Sequence, residues 1–430
     1  MAETRQDDAS DAKRSGLTVV VPTTAGAILI RGLRWTQKIP ASRVVLGNET
    51  ADQCERWTKE YNNLLRPGDP MRTLYSALSG SKESRCPPFD LHNRGKRSVA
   101  LDVNHAEGRA LAQRIVSTSD VFLTNMRPQF LRRAGLDHEQ LLAANPRLVY
   151  GILTGYGLDG PDKDAPGFDM AAFSARSGVS FRATPPGGVP PTLPGGMGDN
   201  VTALALVAGI LGALVQRERT GRGQLVATSL LRTGMFCASM ELSAFLALGK
   251  VMPPQSRTQP QNPLMNSYRA ADGKWLWLIG AEAERHWEPI VKALAATELL
   301  GDARFKTSRD RRRNAEALVR VFDDIFARHT RDEWAAILAQ HDVWWAPVSS
   351  FEDLVNDAQA QACGAFVEMP SMAGDGTTQR TLATPVDFSA EPVAAPPSPP
   401  QLGSDTRSVL RELGVDDQEI ARLREARVIV

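Results

Sequence analysis

Residues 97–154, RSVALDVNHAEGRALAQRIVSTSDVFLTNMRPQFLRRAGLDHEQLLAANPRLVYGILT, decide the fold. Arg97 to Val103 alternates in the manner of a strand. Ala106 to Thr118 carries apolar residues at helical spacing, with Glu107 in the first turn, where a helix dipole favours an acid. Val121 to Leu123 is a short buried strand. Pro128 to Ala134 is a helix opened by proline, and Leu148 to Leu153 is a further strand. Short apolar strands alternating with helices predict an α/β fold with a doubly wound sheet.

Upstream of this stretch, Leu17 to Val21 and Ser42 to Leu46 read as strands. Ala25 to Leu33 reads as the helix between them, the opening of a parallel α/β unit. Residues 49–66 are polar and helical in character, and Pro67-Gly68-Asp69-Pro70 is a turn. Downstream, residues 155–200 are dense in glycine and proline, in GYGLDGPDKDAPG and TPPGGVPPTLPGGMGD. A loop-rich stretch of that length inside a folded chain usually carries function. A long apolar helix begins at Val201, and Gly221 to Gln224 turns into the strand Leu225 to Thr228.

A helix and a Pro/Gln-rich linker, PPQSRTQPQNP, follow. A second unit then opens on the hairpin SYRAADGKWLWLIG, turned at Ala271-Asp272-Gly273. Its helices fall near 284–297, 312–328 and 331–340. A proline-rich connector (392–401) leads to a last helix over roughly 405–426. The expected organisation is a disordered tail (1–16), a large α/β domain (17–235), a linker (236–262), a small α+β domain (263–355) and a segment returning to the large domain (356–430).

Composition narrows the function classes. The 430 residues are 42% hydrophobic and 23% charged, with a formal net charge of +1. That balance makes no case for nucleic acid or an anionic membrane. The four cysteines, Cys54, Cys86, Cys237 and Cys363, lie at spacings that suit neither a disulfide framework nor a zinc site, which fits a reducing, cytoplasmic setting. The acids of residues 1–16 and Pro22-Thr23-Thr24 spoil a signal peptide. The apolar run Val201 to Val215 falls short of the roughly 18 residues of a membrane span, so a core helix is expected there. Neither HExxH, a Walker loop, GxSxG nor a dinucleotide GxGxxG occurs, and no metal site is expected.

Gly195-Gly196-Met197-Gly198-Asp199-Asn200-Val201 carries the most chemistry. An aspartate before a long helix can cap it, accepting free N–H groups for about 1 kcal/mol. The same carboxylate, beside flexible glycines, can attack a thioester carbonyl while backbone N–H groups of the glycine loop hold the oxyanion. The residues by themselves leave both readings open. Thr124-Asn125-Met126-Arg127-Pro128 ends a strand, where open α/β sheets bind ligands and where an Asn turn is equally at home. Arg94, Lys96 and Arg97 form a basic cluster suited to phosphates or simply to solvent.

The run from Asn93 to Pro161, together with PGFD, GGMGDN, QRERTGRGQLVATSLL and the closing LGSDTRSVLRELGVDDQEIARL, resembles the class III CoA-transferases of the CaiB/BaiF type over most of residues 90–430. The resemblance implies a Rossmann-like large domain and a ring-shaped chain interlocked with a second copy in a homodimer. It places the nucleophile on Asp199, beside Gly198. It puts CoA or substrate contacts on Thr24, Arg97, Leu101, Val103, Asn125 and Arg133, and sets Phe168 and Asp169 beside the acyl group. The substrates implied are an acyl-CoA donor and a carboxylic acid acceptor, coenzyme A thioesters being substrates rather than a permanently bound cofactor. Neither nucleic acid nor a membrane is an expected partner. Related α-methylacyl-CoA racemases carry histidine where this chain has Phe168. Racemisation needs an acid/base group on each face of the α-carbon, and phenylalanine carries no proton. Transfer through an aspartyl-CoA thioester is therefore expected. The alternatives are a racemase or isomerase of the same fold and an inactive CoA-binding paralogue.

Overall fold

The computed structural model describes residues 27–30, 43–47, 86–251, 256–371, 376–390 and 398–429. The expected tail, the strand Leu17 to Val21, the stretch 49–66, the Pro67–Pro70 turn, Thr24 and most of the connector 392–401 lie outside those residues. The described chain falls into two compact units. One combines the residues up to Ser180 with Thr192–Ser243 and Val367 onward; the other combines Phe181–Pro191 with Ala244–Phe366.

The first unit is built on six strands: β1 (Ala27–Ile30), β2 (Arg43–Gly47), β3 (Arg97–Ala100), β4 (Val121–Thr124), β5 (Val149–Thr154) and β6 (Leu225–Ser229). Their order across the sheet is β3-β2-β1-β4-β5-β6. β2 pairs in parallel with β3, and β4, β5 and β6 run parallel to one another. The opening of the chain departs from expectation. Ala27–Ile30 is a strand rather than part of a helix, and it is antiparallel to both β2 and β4. Its sequence, AILI, is a short apolar run, and hydrophobic periodicity does not separate strand from helix over so few residues. The sheet is therefore mixed rather than uniformly parallel.

β4 and β5 are buried along their whole length, as strands covered on both faces must be. On one face Val99, Leu111, Ile115, Phe122, Tyr150 and Ile152 pack with Val409, Leu410, Ile420 and Leu423 from the far end of the chain. That closing segment is two helices, Thr406–Glu412 and Asp417–Glu425, rather than the single expected one. Gly414 breaks it with φ +80°, and the Asp416 side chain restarts it by accepting from Glu419 N–H at 2.8 Å.

The other face of the sheet receives the helix Met197–Thr220. Leu206, Ile210, Ala213 and Leu214 recur at helical spacing and are buried against Val121, Leu123, Val149 and Leu153. The expectation of a buried core helix is half met, because Leu204, Leu211 and Val215 on the remaining surface are exposed. At its far end Arg217, 2% exposed, is held by Asp120 Oδ1 at 3.0 Å and the Arg147 carbonyl.

The second unit holds the expected hairpin, β7 (Met265–Arg269) and β8 (Trp275–Ile279), with β9 (Trp345–Pro347) added antiparallel to β8. Tyr268, Trp287, Phe322, Phe326 and Trp334 interlock as its core.

Candidate active site

In an open sheet the loops beyond the carboxyl ends of parallel strands form the binding crevice. Here the loop after β5 is pinned in two ways. The Gly155 carbonyl accepts from Leu231 N–H at 3.0 Å, tying the end of β5 to the helix Leu230–Cys237 that follows β6. Gly155 and Gly167 also pass so closely that a Cβ on either would lie within 2.5 Å of the other's Cα. Two glycines thus let the PGFD segment fold back over the strand end.

The seven residues after Phe168, Asp169–Ala175, form a π-helical turn, an arrangement that recurs at functional sites. Phe173 on that turn is buried, and it presses on Gly198 of the long helix. A Cβ at Gly198 would sit 2.2 Å from Phe173 Cγ and 2.3 Å from Asp169 Oδ1. The glycine of GMGD is there because two side chains already fill the space.

Asp199 does not cap the helix. The helix starts at Met197, its N-cap is Gly196 at φ +75°, and Asp199 stands inside the first turn. The capping group comes from 29 residues earlier: Asp169 Oδ1 accepts from Gly198 N–H at 3.1 Å. Part of the glycine loop is consequently closed to an oxyanion. Met197 N–H is bound by the Pro194 carbonyl and Asn200 N–H by the Gly196 carbonyl, so the donors at 197, 198 and 200 are engaged.

Relieved of capping, Asp199 is half-buried, and among the described residues no hydrogen bond or ion pair engages its carboxylate. Burial pushes its acid up to about 6, with the charge of Asp169 adding to the effect. Asp169 is also raised, by burial, against the opposing pull of the Gly198 and Gly196 N–H groups. A helix N-terminus ordinarily favours a carboxylate. At Asp199 desolvation and a like charge outweigh it, leaving an under-solvated and more basic carboxylate.

The other expected site residues sit as follows. Phe168 is 68% exposed at the head of the π-helical turn. Asn125 follows β4 directly at the sheet's carboxyl edge, and Arg133 is exposed on the helix Pro128–Ala134. Arg97 is committed within the chain, its guanidinium meeting Glu412 at 2.8 Å and Ser408 at 2.9 Å. Leu101 and Val103 are core residues, and the C-terminal Val428 and Ile429 close over the chain beside them, through an Asp102 N–H bond to the Val428 carbonyl at 2.8 Å. The structure thus joins Asp169, Gly198 and Asp199, whereas Arg97, Leu101 and Val103 belong to the seam with the closing segment. Sequence reasoning missed the capping role of Asp169 and the packing of Phe173 on Gly198, since no local pattern links residues so far apart.

A mixed α/β sheet with a raised carboxylate, unengaged among the described residues, on the helix that packs against it fits an enzyme of group transfer. The chain belongs to CoA-transferase family III, which matches residues 65–406. It is 32% identical over 363 residues to the (R)-2-hydroxy-4-methylpentanoate CoA-transferase of Clostridioides difficile, covering 84% of this chain and 90% of that one. It is also 32% identical over 370 residues to the cinnamoyl-CoA:phenyllactate CoA-transferase of Clostridium sporogenes, covering 84% and 88%. The solved structure of a CaiB/BaiF family protein from Brucella suis aligns with a TM-score of 0.71 at 28% identity, over 81% of this chain and 90% of that one. The activity is CoA transfer.

Proposed function

We propose that transfer runs through Asp199 as a covalent carrier. Its carboxylate attacks the donor thioester; an aspartyl–acyl anhydride forms and CoA thiolate leaves. The thiolate bonds to the aspartyl carbonyl carbon, and the donor acid departs with one of the side chain's oxygens. The acceptor carboxylate then attacks the aspartyl thioester, and the same two steps run in reverse. The thioester's free energy is kept in the enzyme rather than lost to water. The observation carrying this reading is the half-buried Asp199 carboxylate, unengaged among the described residues and raised to about 6.

Substrates with apolar side chains suit the surroundings. Phe168 and Met170 flank Asp169, Met197 adjoins Gly198, and all three are exposed. The two curated relatives act, by name, on a 4-methylpentanoate and on phenyllactate. Branched or aryl acids are accordingly the proposed acceptors.

A second copy of the chain is the proposed partner, in the interlocked homodimer that the resemblance implies. The exposed apolar residues Leu204, Leu211 and Val215 on the long helix, with Phe236 and Met240 beyond β6, are surface that a second chain would cover. A cytoplasmic setting is proposed on the scattered thiols.

Hydroxylamine trapping tests the carrier. Enzyme mixed with a panel of acyl-CoAs and quenched with hydroxylamine should yield a hydroxamate at Asp199 for each accepted donor. Turnover without any such adduct rejects the reading. One observation favours a racemase: a carboxylate titrating near 6 also suits proton abstraction from an α-carbon. Phe168 opposes it. Deuterium uptake from heavy water into a 2-methylacyl-CoA, without acyl exchange, would decide for the racemase.

A further inference from the structure

Asp169 touches the chain at the residue before Asp199. It sits at the start of the π-helical turn, and its Oδ1 accepts from Gly198 N–H, one residue before Asp199. Gly198 leaves no room for slack, because the Asp169 carboxylate and the Phe173 ring occupy the volume that a side chain there would need. The carboxylate therefore fixes the first turn of the helix from outside and places a negative charge beside that turn.

We propose that Asp169 is a positioning residue for CoA transfer: by anchoring the Gly198 N–H it holds Asp199 in the first helical turn, frees it from capping, and confronts it with a like charge. The role rests on Asp199 being the nucleophile. It also gives the covalent step a direction. Once the Asp199 carboxylate is acylated, and still after CoA thiolate has bonded to its carbonyl carbon and the donor acid has left with one aspartyl oxygen, Asp199 carries no charge, and the repulsion from Asp169 is absent. The free carboxylate is raised in energy relative to the thioester.

Other ionisable groups near the helix do not substitute for Asp169. The elements packed on it are the π-helical turn, β5, β6 and Leu230–Cys237. Besides Asp169 they carry Tyr150, Arg232 and Cys237. Tyr150 is bonded to the Leu136 carbonyl in the core on the other face of the sheet, and Arg232 and Cys237 are exposed. On the helix itself, Arg217, Glu218 and Arg219 stand at the far end. The charge acting on Asp199 is that of Asp169.

The test uses Asp169→Asn, which keeps an oxygen for Gly198 N–H and removes the charge. Infrared difference titration reads the Asp199 carboxyl directly, assigned by its absence in Asp199→Asn. In the wild type the midpoint should lie at about 6; in D169N it should fall while staying above the ordinary 3.8, because burial persists. The acid limb of kcat/KM should move down with it, and the steady-state fraction of trapped aspartyl adduct should drop. A purely structural Asp169 moves neither midpoint nor limb, and that result overturns the proposal. If D169N does not fold, Asp169→Ser retains a capping oxygen without charge and is read the same way. Absence of a wild-type adduct at Asp199, with the titration shift intact, overturns the nucleophile instead of the coupling.

Discussion

At the scale of single residues Asp199 is a carboxylate partly stripped of water and, among the described residues, without a hydrogen-bond donor. As the proposed nucleophile, Asp199 must be ionised to attack, so kcat/KM should rise with pH through about 6 and level off above it. A pH-rate profile with acid limb near 4 would contradict that. The stability consequence has the opposite sense. Because the folded-state acid is raised from 3.8 to about 6, Asp199 costs nothing below pH 3.8, costs progressively more between those values, and reaches its full penalty above about 6. That penalty is at most about 3 kcal/mol, or about 2 after allowing for partial solvent exposure. Asp199→Asn should therefore abolish turnover, on the order of 10⁴-fold or more, while raising the unfolding midpoint at pH 7. Denaturant titrations at pH 4 and pH 7 check the sign: the stabilisation should be present at 7 and nearly gone at 4.

At the scale of elements, function depends on close approaches that glycine permits. Gly198→Ala pushes a methyl into Phe173 and Asp169, so it should cost about 1–3 kcal/mol and disturb the nucleophile together. Gly155→Ala meets the Gly167 backbone, which cannot swing aside, and should be at least as costly. Thermal melts and initial rates measure both. These contacts mark the limit of what sequence reading reached. The strands and helices between Arg97 and Thr154 were legible because each announces itself over a few residues through periodicity and capping. The strand Ala27–Ile30 was misread as helix because four apolar residues satisfy either period. The long helix was legible but its first turn was not. Nothing local says that Asp169 supplies the cap, and an aspartate before an apolar helix reads naturally as its own cap.

For the molecule as a whole, the closing segment returns to complete the first unit, and Arg97 is one of its fastenings. The guanidinium binds Glu412 and Ser408 and lies 3.8 Å from Asp405. Arg97→Met should lower the unfolding free energy by about 1–2 kcal/mol with little change in KM for acyl-CoA. A raised KM at unchanged stability would assign the side chain to substrate phosphates instead. The family resemblance made the reaction class legible from motifs such as GGMGDN and PGFD, because chemistry is conserved in short runs. The seam between residues 97–103 and the C-terminal helices was not legible, because it joins positions some 300 residues apart. The central claim, that Asp199 carries the CoA, has a direct test in the fate of oxygen. Turnover with an acceptor acid labelled in its carboxylate oxygens should leave one heavy oxygen in the Asp199 side chain, read by mass spectrometry of the peptide that contains it. Full turnover with all label retained by the substrates, and none in that peptide, would contradict the account.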